Sequence, residues 1–384
     1  MPAIDVPTYI VGGLDDLFQR GEPLLYEALV ANGTDARLLM GPWTHGSTGS
    51  GLPDADDGVP SLDQLRLQWF DQHVRGATAG ADCIPQVTQY VLGEDRWRTA
   101  PSWPLPGLHA QRWHLRGDGR LTTDAPTADE PDRHYLQLPL NGACTRSADQ
   151  WLIGLLSATP CPTDNRLDEA TSLTWTSEPF DEPLTIEGPI QADVWLRATG
   201  SDAAVAVAVS DVAPDGTSRG LTNGLLMASH RAVDAGRSRH LDGQSIQPWH
   251  PFTEAARQPL TPGEPTLVPV EVFPTSATLA PGHRLRVTIA AHDVPHALPP
   301  LPAALGALGG VTTVLAGPDA PSSVVLPALR PAPAAAPAAT APTADVADRA
   351  LARTGPTSTT TASIAAVALA VALLARRRLA QPAP

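Results

Sequence analysis

The sequence predicts an α/β region, then an all-β domain of jelly-roll or β-sandwich type, then a disordered tail. Three observations predict this order. A strand, a helix and a second strand follow one another within the first 45 residues, the apolar period changes to two after residue 84, and proline and alanine dominate beyond residue 330. The 41 Pro and 31 Gly residues, against 5% aromatic residues, favour turns and short strands over long helices.

Charge and cysteine content narrow the classes of partner. The chain has 26 basic and 40 acidic residues and a net charge of −14, which argues against a nucleic-acid partner because phosphate backbones need a basic surface. Its three cysteines have no Cys-x-x-Cys spacing, so the sequence predicts neither a metal site nor a redox centre. We expect no cofactor.

The first 45 residues have the pattern of a βαβ unit. The run VPTYIVGG, ended by Gly12 and Gly13, predicts a buried strand, and DARLLMGPW predicts a second one. Between them, PLLYEALVANG predicts a helix that stops at Gly33. Its apolar residues at helical spacing are Leu24, Leu25, Ala28 and Leu29. The two strands are therefore expected to be parallel, with functional loops at their carboxyl ends.

Three titratable side chains fall at those carboxyl ends. Asp15 and Asp16 follow the first strand, and His45 follows the second. A histidine titrates near neutral pH and can act as a proton shuttle, although loop histidines are more often solvated or packed. These residues are the candidates for acid and base chemistry.

A predicted amphipathic helix closes this region. The segment SLDQLRLQWFDQHVRG follows a polar stretch and places apolar residues at helical spacing. These residues are Leu62, Leu65, Trp69 and Val74. We expect the region to end with this helix, at residue 83.

Residues 84–330 have the two-residue period of antiparallel strands. The segment IQADVWLRA places Ile190, Ala192, Val194 and Leu196 on one face. AVAVAVSD, LVPVEVF and HRLRVTIA repeat the pattern, and turns such as APDG and APGH occur among them. Many short strands separated by turns are typical of a jelly roll or β-sandwich.

The C-terminal tail has three parts in a fixed order. Residues 331–350 form a Pro/Ala-rich spacer, LARTG follows, and an apolar run at residues 362–375 leads into three arginines. At 14 residues, the run is shorter than the ~20 that span a bilayer. Residues 351–384 resemble a Gram-positive cell-wall sorting signal of the Leu-Ala-x-Thr-Gly form, which implies that a sortase cleaves between Thr354 and Gly355.

This resemblance implies a secreted protein held at the cell wall, with membrane contact only through the apolar run. A plain C-terminal transmembrane anchor is the alternative. Cys144 and Cys161 lie 17 residues apart in loop-like sequence, so they could form a disulfide in an exported protein. Two free buried thiols are the other possibility, and Cys83 would be left over.

Two short motifs belong together. VGGLDDLF and GPWTHG resemble the acid and base segments of the α/β-hydrolase family that contains cocaine esterase and the X-prolyl dipeptidyl-peptidases, the CocE/NonD family. LQWFDQHVRG, YVLGEDRWRTAPSWPLPG, LTWTSEPFDEPLTIEGPIQADVWLRAT and VEVFPTSATLAPGHRLRVTIAAHDVPH match the same family in order. The resemblance covers residues 4–330. It implies that residues 1–83 are the C-terminal part of an incomplete α/β-hydrolase domain, and that residues 84–330 are an X-Pro dipeptidyl-peptidase C-terminal-like jelly roll.

Carried over by position, the resemblance implies that Asp16 is the acid of a Ser-Asp-His triad and that His45 is its base. Asp16, and not Asp15, has the family's Gly-Gly-x-x-Asp-x-Phe spacing, which ends at Phe18. Asp16 would hold the imidazole in the right tautomer, and His45 would take the proton of the nucleophile and return it to the leaving group.

The nucleophile is missing from the matched segments. In this family the serine precedes the acid in the chain, but none of the fifteen residues before Asp16 is a serine. One Gly-x-Ser-x-Gly string, GTSRG, contains Ser218, but it follows the histidine and is predicted to be a turn between two strands. We therefore expect no nucleophile in this chain, and we expect Met1 to be a late start or the boundary of a fragment or split gene.

Two functions of different classes follow from these motifs. The first is a wall-bound serine hydrolase that acts on small-molecule esters or proline-containing peptides, of which this chain would be the inactive C-terminal part. The second is a catalytically inactive β-sandwich displayed on the wall as a binding or structural module. An in-frame nucleophile motif upstream of Met1 would support the enzyme, and stop codons there would support the module.

Overall fold

The computed structural model describes residues 4–49, 61–77, 84–138, 141–296 and 307–329. Within these residues, strands far outnumber helices. No helix in this part of the chain is long and apolar enough to cross a membrane. The apolar run at residues 362–375, the Pro/Ala-rich spacer and the sortase motif all lie outside the described residues.

The first sheet contains the predicted βαβ unit. Its strands are β1 (Thr8–Asp15), β2 (Ala36–Thr44), β3 (Val87–Val91) and β4 (Arg96–Ala100), in that order across the sheet. β1 pairs in parallel with β2, as predicted, and helix α1 (Gly21–Ala31) connects them. The parallel pairing puts the carboxyl ends of β1 and β2 at the same edge of the sheet.

The buried side of α1 differs in part from the predicted one. Its buried residues are Pro23, Tyr26 and Leu29. The predicted Leu24, Leu25 and Ala28 are only partly buried. The buried residues instead lie three positions apart along the helix, and Pro23 and Tyr26 among them are less apolar than leucine. Gly33 has a φ of +78°, a left-handed conformation that suits the residue after a helix end.

Helix α2 (Leu62–His73) forms as the sequence predicts. Ser61 caps it, because its hydroxyl accepts a hydrogen bond from Gln64 N at 3.3 Å and Gln64 Oε1 accepts one from Ser61 N at 3.0 Å. Its buried residues are Leu62, Leu65 and Trp69. Val74, which was predicted on the same side, lies just past the end of the helix and is 74% exposed.

The first sheet continues past the predicted boundary at residue 83. β3 pairs in parallel with β2, and β4 pairs antiparallel with β3, so this sheet includes residues up to Ala100. The difference has a physical reason. The sequence predicts each strand from its own local pattern, and that pattern does not tell with which other strand it pairs.

A seven-stranded antiparallel sheet follows. Its strands are β5 (Leu108–Leu115), β6 (Leu121–Thr122), β7 (Arg133–Leu136), β9 (Leu184–Ala198), β14 (Thr266–Leu279), β16 (Val311–Val314) and β17 (Ser323–Leu329). The long strand β9 pairs with β14, β16 and β17. It contains the predicted strand IQADVWLRA.

A four-stranded antiparallel sheet completes the main structure. Its strands are β8 (Leu173–Thr176), β10 (Ala204–Val212), β11 (Ser218–Met227) and β15 (Arg284–Ala290), in the order β11-β10-β15-β8. β12 (Arg239–Leu241) and β13 (Gln244–Gln247) form a separate hairpin. The short helices α3 (Arg146–Trp151) and α4 (Arg166–Glu169) precede β8. α3 contacts both β11 and β1, so it bridges this sheet and the first one.

One hydrophobic core joins the three sheets. The predicted buried face of β9, made of Ile190, Ala192, Val194 and Leu196, is fully buried. Ile10 and Leu38 of the first sheet belong to the same cluster, as do Val207 and Val287 of the four-stranded sheet. Burial stabilises the fold by ~1.5–3 kcal/mol for each large apolar side chain. The α/β region and the β region are therefore packed against each other through a continuous core.

Candidate active site

The carboxyl ends of β1 and β2 bring the predicted acid and base together. Asp15 and Thr44 face each other at the last register position of the two strands, and the residues that follow them are Asp16 and His45. His45 Nδ1 lies 3.1 Å from Asp16 Oδ2. The parallel pairing thus places in contact two side chains that are 29 residues apart in the chain.

Gly13 allows the close approach of the two strands. A Cβ atom at position 13 would overlap the backbone oxygen of Trp43, so any other residue would push β1 away from β2 just before the site. Trp43 itself is 1% exposed and packs on Trp97, with ring centroids 5.6 Å apart. Trp43 therefore supports the site from the core.

Asp16 is buried and held by its own turn. The residue is 3% exposed. Its Oδ1 accepts a hydrogen bond from the backbone N of Phe18 at 2.9 Å, which leaves Oδ2 for His45. The Phe18 ring packs edge-on against the imidazole, with ring centroids 5.5 Å apart. The Phe of the Gly-Gly-x-x-Asp-x-Phe motif therefore fixes the carboxylate through its backbone and packs on the histidine through its side chain.

His45 combines a buried contact with an open side. Its side chain is 49% exposed. Among the described residues, Nε2 has no hydrogen-bond partner, whereas Nδ1 contacts Asp16. A carboxylate at Nδ1 fixes the orientation of the ring and favours the tautomer with the proton on Nδ1. In that tautomer, Nε2 can accept a proton from another group.

Asp15 has a different partner. It forms an ion pair with Arg146 of α3. Arg146 is 5% exposed; it also donates to the backbone oxygen of Leu14 and, at 3.2 Å, to Oδ1 of Asn223. Of the two adjacent carboxylates, Asp16 is the one that contacts the histidine.

Helix α3 also supports the acid from the side of the β region. Gln150 is fully buried, and its Nε2 donates to the backbone oxygen of Asp16 at 2.6 Å. Thr145 caps the helix, because its hydroxyl accepts a hydrogen bond from Ala148 N at 3.1 Å. No sequence motif marks this support, because Gln150 lies 134 residues from Asp16.

A second carboxyl group near the acid is also unmarked by the motifs. Glu22, in the first turn of α1, lies against Gly12 of β1. Burial raises the pKa of Glu22 to about 8, and the negative charge of Asp16 adds to the rise. In the sequence, Glu22 is recognisable only as an acidic residue in the first turn of a helix. Such a residue is usually explained by its favourable interaction with the helix dipole.

Ser218 has a different environment from the one predicted for it. It is the first residue of β11, it is fully buried, and its hydroxyl donates to Glu169 Oε1 at 2.5 Å. The turn in GTSRG ends at Thr217, whose backbone oxygen accepts from Ala213 N, so the prediction that Ser218 lies in the turn is wrong by one residue. In the described part of the chain, no group of three His, Cys, Asp or Glu side chains could hold a metal ion.

A disulfide joins Cys144 and Cys161. The sequence was compatible with either this disulfide or two free thiols, and the structure contains the disulfide. It closes a segment that contains α3, the helix that contacts the acid turn. Cys83, Thr354 and Gly355 lie outside the described residues.

A protein family and several individual relatives match this chain. Residues 79–325 match the family described as the X-Pro dipeptidyl-peptidase C-terminal non-catalytic domain. Proteins named serine esterase in Mycobacterium bovis and Mycobacterium tuberculosis are 32% identical over 265 residues, which is 68% of this chain and 41% of each relative. The cocaine esterase of a Rhodococcus species is 26% identical over 310 residues, which is 75% of this chain and 49% of that protein. This chain thus spans less than half the length of these relatives.

Solved structures share the fold over most of the chain. An aminopeptidase from a marine sediment archaeon, a Thaumarchaeota archaeon, superposes with a TM-score of 0.66 at 22% identity, over 85% of this chain and 56% of that one. A CocE/NonD family hydrolase from Staphylococcus aureus gives a TM-score of 0.64 at 15% identity, over 85% of this chain and 55% of that one. Since this family match covers more than half of the chain, the chain belongs to the family of the X-Pro dipeptidyl-peptidase C-terminal domain, and it shares the fold of the CocE/NonD hydrolase, in line with the family that its motifs resemble.

Proposed function

We propose that this chain carries the acid and the base of a serine hydrolase of the CocE/NonD kind, which cleaves acyl esters or Xaa-Pro peptides through a Ser-Asp-His triad. The observation that carries the proposal is the 3.1 Å contact between Asp16 Oδ2 and His45 Nδ1, on an imidazole that is half exposed. The nucleophilic serine is supplied by a segment outside this chain.

Each residue has a defined task in this mechanism. His45 Nε2 accepts the proton of the serine hydroxyl as the serine oxygen attacks the substrate carbonyl carbon, and the imidazolium then gives that proton to the leaving alcohol or amine. Asp16 keeps the imidazole oriented and stabilises its positive charge. In the second half of the reaction, His45 takes a proton from the water that attacks the acyl-enzyme and returns it to the serine.

The names of the relatives favour an ester substrate. Those from Mycobacterium are named serine esterase, and the one from Rhodococcus is named cocaine esterase, so a small-molecule ester is the first substrate class to test. The family description mentions an X-Pro dipeptidyl-peptidase, so Xaa-Pro peptides are the second substrate class to test. The matched segment is 41% to 49% of those relatives, and we assign the nucleophile to the part of such a protein that it does not cover.

We also infer from the tail that the protein is exported and held at the cell surface. LARTG, the apolar run at residues 362–375 and the arginines that follow have the order of a sorting signal. A sortase would cleave after Thr354 and join it to the wall. The disulfide between Cys144 and Cys161 supports export, because disulfides persist mainly outside the cytosol.

Two forms of the protein test the catalytic proposal. Residues 1–384 and a form extended upstream through the nucleophile motif are assayed with p-nitrophenyl acetate and an Ala-Pro anilide, and a fluorophosphonate labels the active serine. We expect turnover and labelling in the extended form alone, and His45→Ala should abolish turnover there. No turnover in either form would contradict the proposal and would favour a wall-displayed binding module.

A further inference from the structure

We propose that residues 144–161, the clamp segment, hold the candidate acid and base in place, and that Gln150 is a positioning residue for Asp16. This role rests on the proposed function, because it concerns the same site. The clamp segment contains α3 and is closed by the disulfide between its first and last residues. It lies within the region that matches a domain described as non-catalytic, yet it contacts both loops of the site.

Gln150 holds the turn that carries the acid. Its Nε2 donates to the backbone oxygen of Asp16 at 2.6 Å and to Oε1 of Gln19 at 2.9 Å. Gln19 donates in turn, through its own Nε2, to the backbone oxygen of Pro274 in β14 at 2.7 Å. The turn is therefore tied to α3 and to β14 at once, and a change at Gln150 acts directly on the backbone of the acid.

The hydrogen bonds of Gln150, and not its packing in the core, explain why an amide side chain occurs at position 150. Gln150 is fully buried, and its Oε1 has no hydrogen-bond partner among the described residues. An unpartnered buried carbonyl destabilises a fold, so an apolar side chain of the same length would suit the core better. What the amide provides is its pair of donated hydrogen bonds, to Asp16 and to Gln19.

Arg146 holds the end of the strand next to the acid. Its guanidinium donates to the backbone oxygen of Leu14 and pairs with Asp15. Arg146 and Gln150 are four residues apart on α3, so they lie on the same side of that helix. Side chains from one side of α3 thus contact three successive residues at the end of β1.

The other end of the clamp segment packs on the loop of the base. A Cβ atom at Gly46 would lie 2.5 Å from the backbone oxygen of Ile153, and one at Gly154 would lie 2.5 Å from Thr44 Oγ1. Ile153 has a φ of +54°, which β-branched residues rarely adopt, and strained residues of this kind concentrate at functional sites. The residues on either side of His45 are therefore packed against the clamp segment.

Two features stiffen the clamp segment itself. The disulfide ties residues that are 17 apart in the chain. Asp149 is buried and accepts hydrogen bonds from Leu156 N and from Ser157 Oγ, both at 2.7 Å. Reduction of the disulfide removes the first of these constraints, so the contact between the acid and the base should weaken when the two cysteines are reduced.

The tautomer of His45 tests this role without any nucleophile. Imidazole ¹⁵N chemical shifts of the full chain, recorded where the ring is neutral and assigned with His45→Ala, report which nitrogen carries the proton. We expect Gln150→Met to lower the ratio of Nδ1–H to Nε2–H at least about threefold, because the carboxylate is no longer held at Nδ1. Gln137→Met is the matched control, since Gln137 is a buried glutamine whose Nε2 donates to Ala204 O and Thr312 Oγ1. It should leave the ratio unchanged.

An unchanged ratio in folded Gln150→Met would overturn the proposal, and so would an equal fall in the Gln137→Met control. If Gln150→Met does not fold, the wild-type protein is measured before and after reduction of its disulfide. A lower share of Nδ1–H then supports the clamp segment, and an unchanged share after complete reduction, shown by mass, overturns it. The tautomer of His45 can be measured without a nucleophile. A lack of turnover in the extended form would therefore contradict the proposed function but would not affect the test of Gln150.

Discussion

Asp15 and Asp16 are neighbours in the chain, yet their carboxylates have different partners: Asp15 pairs with Arg146, and Asp16 contacts His45. Asp15 is the last residue of β1, whereas Asp16 lies in the turn that follows, where its backbone oxygen accepts a hydrogen bond from Gln19 N. The two positions therefore form a matched pair, because the same substitution at each of them removes a different contact.

In an extended form that carries the nucleophile, Asp16→Asn should lower kcat/KM by about 10⁴-fold, because an amide does not hold the imidazole in the productive tautomer. Asp15→Asn should have a much smaller effect on kcat/KM and should lower the melting temperature, since it leaves the buried Arg146 without its ionic partner. Steady-state kinetics and thermal unfolding measure the two effects. The larger kinetic loss in Asp15→Asn would identify Asp15 as the acid instead.

Ser218→Ala should change stability and leave the chemistry intact. The Ser218 hydroxyl donates to Glu169, which also pairs with Arg286 at 2.6 Å. Loss of that buried hydrogen bond should lower the free energy of unfolding by about 1–2 kcal/mol, measured by urea denaturation. Fluorophosphonate labelling of the extended form should be the same with and without the substitution. Loss of labelling in Ser218→Ala would show that GTSRG contains the nucleophile.

Cys144 and Cys161 should be found linked in the exported protein. Mass spectrometry of a non-reduced digest should give one cross-linked peptide pair, and Cys83 should react with an alkylating agent once the protein is unfolded. Reduction should lower the free energy of unfolding by about 3 kcal/mol, because the reduced chain gains the freedom of an open loop. Two alkylated thiols at positions 144 and 161 without prior reduction would contradict this expectation.

Glu22 should make the protein less stable as the pH rises through neutrality. Burial raises the pKa of Glu22 from 4.5 to about 8, so the folded protein keeps a proton that the unfolded chain has lost. The stability that Glu22 contributes is fully present below pH 4.5 and is lost as the pH rises to about 8. Glu22→Gln should remove this dependence and should be more stable than the wild type above pH 8, by roughly 1–2 kcal/mol after solvent screening. Urea denaturation across this pH range measures it, and parallel pH profiles for the two proteins would refute it.

The sorting motif should direct covalent attachment to the wall. Thr354→Ala should move the protein from the fraction released by lysozyme to the membrane fraction, because the sortase can no longer form its acyl intermediate at that threonine. Arg353→Ala changes a position that the motif leaves open, so it serves as the control and should stay on the wall. Thr354→Ala protein that is still released by lysozyme would contradict cleavage at Thr354, and wild-type protein that is already in the membrane fraction would show that the tail is a plain membrane anchor.

Local patterns in the sequence predicted the part of the site whose residues lie close together in the chain. β1, α1 and β2 each carry a short periodic signal, and their parallel order places the residues after the two strands side by side. The sequence therefore predicted that Asp15, Asp16 and His45 lie at one edge of the sheet. The resemblance to the family's Gly-Gly-x-x-Asp-x-Phe motif then favoured Asp16 over Asp15 as the partner of His45.

Contacts between distant parts of the chain left no such signal. Gln150 contacts a residue 134 positions away, and β3 joins the first sheet although its sequence looks like any strand of the β region. Periodicity tells which side of an element is buried, but it does not tell what covers that side. For the same reason the buried side of α1 was only partly predicted, because Pro23 and Tyr26 are not strongly apolar.

The contact of α3 with the end of β1 limits how proteins of this family can be recombined. A chimera joined at residue 83 would take Asp16 from one parent and Gln150 from the other, and it would also divide β2 from β3. At 32% identity between relatives, most of the side chains that meet at such a junction would be mismatched. The acid turn and residues 144–161 must therefore be inherited as one unit, even though more than 120 residues of chain separate them.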